Sequence, residues 1–149
     1  MNFKLTPLLR HSLLTAALAW AAAAPLQAMA ADTVTFTSKL SGAAEVPANT
    51  SLGTGSLEAT LDKGSNQLTW QLTFVGLSGP ATMAHFHGPA MPGANAGVAV
   101  PFATAVSPIE GKATLTPAQV ADLTAGKWYV NVHTAANPGG EIRGQLMMK

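Results

Sequence analysis

The most constraining feature of this chain is a strict two-residue alternation repeated along its length. Leu57, Ala59 and Leu61 alternate with Glu58, Thr60 and Asp62; Leu68, Trp70, Leu72 and Phe74 alternate with Thr69, Gln71 and Thr73. Successive side chains of a strand point to opposite faces, so this pattern predicts strands with one buried face. Lys63-Gly64-Ser65-Asn66 between the two runs is turn chemistry and predicts a hairpin. Val34, Phe36 and Leu40 give an earlier run. Shorter ones follow at 82–87, 97–102, 111–115, 128–134 and 140–147, most of them separated by Gly- or Pro-containing turns. Fourteen Gly and ten Pro in 149 residues oppose a long-helix architecture. The expected fold is all-β, a Greek-key or immunoglobulin-like β-sandwich of about eight strands with one short helix. That helix is placed by Thr116 as cap, Pro117 at its first position and Gln119 in a capping box. Val120 and Leu123 form its apolar side, and Gly126 closes it.

Residues 1–30 have a different character. Lys4 and Arg10 precede an apolar run from Leu13 to Ala24, Pro25 ends it, and Ala28-Met29-Ala30 fits an A-x-A cleavage site. This is the layout of a secretory signal peptide, with an uncleaved N-terminal anchor as the alternative. Residues 31–149 are then a single domain, with no membrane contact after cleavage. The chain has no Cys, which removes disulfides, a lipoprotein anchor, thiol catalysis and cysteine-bound metals. An exported chain without Cys fits a bacterial periplasm or secretion. Eight Lys and Arg against seven Asp and Glu, with no basic run, argue against nucleic acid as a partner.

The histidines outside the leader fall in two short segments, Ala84-His85-Phe86-His87-Gly88-Pro89 and Tyr129-Val130-Asn131-Val132-His133-Thr134. On strands, His85 and His87 share one face with Met83, while Ala84 and Phe86 take the other. Tyr129, Asn131 and His133 likewise oppose Trp128, Val130 and Val132. If the two strands are neighbours, three imidazoles converge on the sheet's outer face beneath the 88–97 loop. Such a set suits copper or zinc, with copper favoured and with Met83 and Met91 as additional candidate ligands. Packing is the competing role for both methionines, and Met147 and Met148 read as a frayed end. The competing role for the imidazoles is hydrogen bonding to loop carbonyls, His85 and His87 to the Gly/Pro loop and His133 near the Asn137 turn. Asn131, Glu141 and Arg143 are candidates to support the ligands from behind. For Glu141, Arg143 and Gln145 the simpler expectation is a solvated strand face with a cross-strand ion pair. No phosphate loop, nucleophile elbow or paired carboxylates are present, and an enzyme is not the first expectation.

Several of these stretches resemble the CHRD domain, the chordin-type repeat also found alone in exported bacterial proteins. They are Leu40-Ser41-Gly42-Ala43-Ala44-Glu45-Val46-Pro47, the 84–90 segment, and 128–134 followed by Pro138-Gly139-Gly140-Glu141-Ile142-Arg143-Gly144-Gln145-Leu146. The resemblance spans nearly all of the chain after the leader. It implies an extracellular interaction module, for which the partner is another exported protein rather than a metal ion. More distantly, His85, His87 and His133 are similar to the copper ligands of copper–zinc superoxide dismutase. The bridging and zinc-binding histidines and the disulfide cysteines of that family have no counterpart. What that likeness implies is at most a copper-only site of three histidines.

Overall fold

The computed structural model describes Met1 and residues 32–149; apart from Met1, the leader reading of residues 1–30 lies outside them. The elements are β1 (Thr33–Ser41), a 3₁₀ turn (Gly42–Ala44), β2 (Thr54–Asp62), β3 (Gln67–Val75), β4 (Ala81–His87) and β5 (Val98–Pro101). Then follow β6 (Ile109–Thr114), α1 (Pro117–Thr124), β7 (Tyr129–Thr134), β8 (Ile142–Gln145) and β9 (Met147–Met148). The β2–β3 hairpin forms in full register, Leu57 opposite Leu72 and Asp62 opposite Gln67. Its turn is held by Asp62 Oδ1, which accepts from the Gly64 and Ser65 amides at 2.8 and 3.1 Å. The helix carries the expected capping box: Thr116 Oγ1 accepts from the Gln119 amide, and Gln119 Oε1 accepts from the Thr116 amide.

The strands form one antiparallel sheet in the order β5-β4-β7-β8-β1-β2-β3-β6, with β9 also on β1. It folds over on itself at β1. Near its end this nine-residue strand meets β8 through Ser41 and Arg143, and nearer its middle it pairs with β9. The two limbs thereby face one another like a sandwich while sharing an edge, so the whole is nearly barrel-shaped. The C-terminal run divides for the same reason. The Leu146 amide still bonds the Trp128 carbonyl at 2.9 Å, but Met147 and Met148 have changed partner to Thr37 and Phe36. These methionines are therefore paired in backbone terms, not frayed, although their side chains are exposed.

One core fills the space between the limbs. Phe36, Leu40, Leu57, Leu61, Leu68, Trp70 and Leu72 come from β1–β3, and Ala84, Phe86, Val130, Val132 and Ile142 from the opposing limb. Trp70 of β3 meets Phe86 of β4 edge-on at 5.1 Å between ring centroids and stacks on Phe102 at 4.9 Å. Both contacts bridge the limbs. Gly111 lies opposite Trp70 in register, and a Cβ there would strike the indole ring, so glycine makes room for it. Truncating the fully buried Phe86 removes the hinge of this aromatic group. Phe86→Ala should cost about 3–5 kcal/mol, read from the midpoint and slope of a denaturant titration.

Candidate metal centre

The inner faces of β4 and β7 are ordinary core, and their outer faces are where the polar side chains collect. All six residues of β7 are buried. Tyr129, Asn131 and His133 lie on the face opposite Val130 and Val132, so something must cover them and satisfy their polar atoms. Three connections do this: the β4–β5 loop, the segment after β1, and the turn between β7 and β8. The β4–β5 loop is strapped down at several points. His87 Nδ1 lies 3.0 Å from the Ala96 carbonyl. The Tyr129 hydroxyl accepts from the Ala96 amide at 3.2 Å and donates to its carbonyl at 3.3 Å. Arg143 donates to the Ala94 carbonyl at 2.7 Å and to Asn95 Oδ1 at 2.9 Å. Gln145 donates to the Ala90 carbonyl at 3.0 Å.

The register brings the histidines together. β4 pairs with β7 so that Met83 faces His133, His85 faces Asn131 and His87 faces Tyr129. His85 Nδ1 lies 3.2 Å from His133 Nε2. One nitrogen from each of His85, His87 and His133 falls within 4.8 Å of the others, a group that fits a metal ion among the described residues. Two nitrogens bound tetrahedrally at about 2.0–2.1 Å from zinc stand about 3.3 Å apart. The His85–His133 pair already has that spacing.

The other ring nitrogens are committed. His87 Nδ1 faces the Ala96 carbonyl, and His133 Nδ1 faces the Pro138 carbonyl at 2.9 Å. A carbonyl only accepts, so each Nδ1 carries the proton. In the neutral ring Nε2 then keeps its lone pair, which is how an outer hydrogen bond presets an imidazole for a metal. His87 Nε2 is buried with no hydrogen-bond partner among the described residues. Burial first, then the neighbouring His133 and His87, push the His85 pKa below its ordinary 6.5. Burial also lowers that of His87, helped by the charges of His133 and Arg143 and opposed chiefly by the Ala96 carbonyl, which accepts from its ring. Both therefore favour the neutral, ligating form at pH 7.

The remaining expected site residues separate into groups. Asn131 touches the cluster, its Oδ1 standing 2.9 Å from His133 Nε2. Arg143 acts through a stack: its guanidinium lies 3.4 Å from the Tyr129 ring centroid, and His87 stacks on Tyr129 at 4.8 Å with an interplanar angle of 2°. β7 lies between β4 and β8, so Tyr129 is held between the two. Met83 lies cross-strand from His133 at the margin of the cluster, and Met91 is in the covering loop. Both are exposed rather than packed. The expectation of a solvated Glu141–Arg143 face fails, because both side chains are buried and no ion pair joins them. The covering loops convert what alternation marks as an outer face into an interior one.

Glu141 serves the loops rather than the imidazoles. Its carboxylate accepts from Ser51 Oγ at 2.7 Å, the Ser78 amide at 2.7 Å, Ser78 Oγ at 2.6 Å, Thr134 Oγ1 and Asn137 Nδ2. It thus fixes the turn whose Pro138 carbonyl holds His133. Asn49 completes this knot by donating to the Glu141 carbonyl at 3.0 Å. Two residues of the site carry little signal in the sequence. Tyr129 looked like one more residue of an alternating strand. Glu45 is buried with Oε1 unpartnered among the described residues, beside Gly140 and the Asn131 amide nitrogen. Its one signal was an acid inside an otherwise apolar stretch, Gly42 to Pro47. Gly140 adopts φ of 132°, and a Cβ there would collide with the Glu45 carboxylate.

Fold and site together define an all-β domain whose covered outer face carries a histidine cluster. The family model for the CHRD domain matches residues 36–146, and the chain belongs to that family. No curated protein and no solved structure matches it. CHRD domains are typically extracellular or secreted modules. Among the described residues no helix is long and apolar enough to cross a membrane.

Burial alone would raise the Glu141 carboxyl, but the hydrogen bonds from Ser78, Thr134 and Ser51 outweigh it and bring its pKa from 4.5 to about 2. A carboxyl depressed in the folded state contributes stability above pH 4.5 that is lost as pH falls toward 2. Glu141→Gln should therefore lose on the order of 3 kcal/mol at neutral pH. It should also flatten the acid limb of a stability–pH curve, measured by urea denaturation at a series of pH values.

Proposed function

We propose that this domain is an exported metal-binding protein of the periplasm or of secreted material. It takes one copper ion, with zinc as the alternative, on His85, His87 and His133. The observation that carries this reading is that His85, His87 and His133 bring one nitrogen each within 4.8 Å of the others, while His87 Nε2 is buried and unpartnered among the described residues. Leaving a buried polar atom unpaired costs about 1–3 kcal/mol, and a bound cation removes that cost. Loop pinning does not compete with ligation, because the pins use Nδ1 of His87 and His133 while ligation uses Nε2. Copper is favoured by an imidazole set with a thioether residue, Met83, at its exposed margin. Storage, transport or buffering suits a site held in this way on covered strands. Redox turnover would need an open coordination position reached from the His85 side.

Calorimetric titration of the purified protein with copper and with zinc tests this. One tight equivalent is expected, lost in the His85→Ala/His87→Ala double variant while circular dichroism shows the strands intact. Absence of stoichiometric binding to the unaltered protein would overturn the metal reading. It would leave the histidines as loop anchors of a protein-interaction module. Protons compete with the metal for the same lone pairs. Because the folded domain lowers the His85 and His87 pKa values, metal retention should fall with acid at a pH below the ordinary imidazole value of 6.5. Bound metal measured after desalting at a series of pH values reads this directly.

A further inference from the structure

We infer that Asn131 Oδ1 is a fourth ligand of the three-histidine centre, and that Glu45 is the positioning residue that turns it inward. The inference rests on the metal reading above and adds to it a donor of a different element. With Nδ1 of His87 and of His133 both donating to carbonyls, each Nε2 keeps its lone pair; that of His133 lies against His85 and Asn131, and that of His87 is buried without a partner among the described residues. Asn131 Oδ1, also an acceptor, stands 2.9 Å from His133 Nε2. Two acceptors thus meet at His133 Nε2 and Asn131 Oδ1, and with His133 Nε2 unprotonated it is His85 Nδ1 that donates to it. A cation between them turns that mutual repulsion into attraction.

The direction of the amide follows from what lies behind it. The Asn131 nitrogen and a Glu45 carboxylate oxygen both lie within 3 Å of where a Gly140 Cβ would stand, so the carboxylate is on the nitrogen side of the amide. An acceptor behind the amide selects the N–H₂ group for that side and sends Oδ1 toward the imidazoles. Gly140, having no Cβ, leaves that space open to both groups. The spacing is also that of a small coordination sphere. Donor atoms around a tetrahedral ion at about 2.0–2.1 Å are about 3.3 Å apart. His85–His133 at 3.2 Å and Asn131–His133 at 2.9 Å lie close to this. One nitrogen of His87 lies no more than 4.8 Å from those of the other two histidines. The result is three nitrogens and one amide oxygen, all from two adjacent strands.

The test compares the unaltered protein with Asn131→Leu, Asn131→Asp and Glu45→Gln. Each is titrated with copper(II), examined by electron paramagnetic resonance and checked for folding by thermal melting. Asn131→Leu should bind one equivalent at least about tenfold more weakly, the lower end of what orienting partners alone contribute, with an altered copper hyperfine pattern. Asn131→Asp puts an anionic oxygen in the same place, and it should bind more tightly than the unaltered protein, again with a shifted spectrum. Glu45→Gln should keep the stoichiometry and weaken binding less than Asn131→Leu. A folded Asn131→Leu with unchanged affinity and spectrum overturns the inference and leaves the three-histidine reading standing. That result means the amide is turned the other way and donates to His133. If the Leu variant does not fold, unchanged affinity and spectrum in Asn131→Asp overturn it equally. Failure of the unaltered protein to bind copper overturns both readings, and it appears in that protein rather than in a variant.

Discussion

Strand β7 is buried on both of its faces, and the arrangement of the outer layer follows from that. A strand of an antiparallel sandwich normally keeps one face in water and can carry polar residues there freely. Here Tyr129, Asn131 and His133 have lost that solvent. Each polar atom must then find a protein partner or bear the cost of being unpaired. The covering loops supply carbonyls for this purpose, Ala96 for Tyr129 and Pro138 for His133. Among the side-chain atoms left unpartnered in the described residues, His87 Nε2 belongs to the histidine cluster and Glu45 Oε1 lies beside Gly140, while Ser38 Oγ, Trp70 Nε1 and Gln145 Oε1 lie elsewhere.

Imidazole is suited to this position because its two nitrogens can do different work. One fastens a loop, which fixes the tautomer, and the other is thereby left as a lone pair directed at its neighbours. Glu141 extends the support outward. It has no cation paired with it in the salt bridges of the described residues, and its charge is stabilised by hydroxyls and amides from three connections. Such a knot holds the β7–β8 turn in place and, through Pro138, the His133 ring. Arg143 fixes the opposite side by joining Tyr129 to the β4–β5 loop. The geometry of the histidine cluster therefore depends on loops as much as on strands.

Much of the fold was legible in one dimension. The β2–β3 hairpin, the capping box at Thr116 and the inward set of Phe36, Leu57, Leu68, Trp70 and Phe86 follow from alternation and turn chemistry. The candidate ligands were legible too, since two-residue spacing puts His85 and His87 on one face whatever the topology. Glu141 and Arg143 were misjudged as solvated. Alternation reports which side of a strand faces away from the core, and it is silent about what a later loop lays over that side. The role of Glu45 was hidden for a related reason, as its partners Asn131 and Gly140 lie far along the chain.

The sequence by itself determined that this chain makes strands, which residues enter the core and which side of each strand carries the histidines. Those are local consequences of the β pleat and of turn preferences, and they need no knowledge of neighbours. Only the tertiary structure decided that β4 lies against β7, in a register that sets Met83 opposite His133 and His85 opposite Asn131. Strands separated by two others and a helix can be paired in many orders at similar local cost. The choice among them is made by the shared core between the two limbs, where Trp70, Phe86 and Phe102 meet. Convergence of three imidazoles is a property of that choice. It arises from packing on the inner face and is read out as chemistry on the outer one.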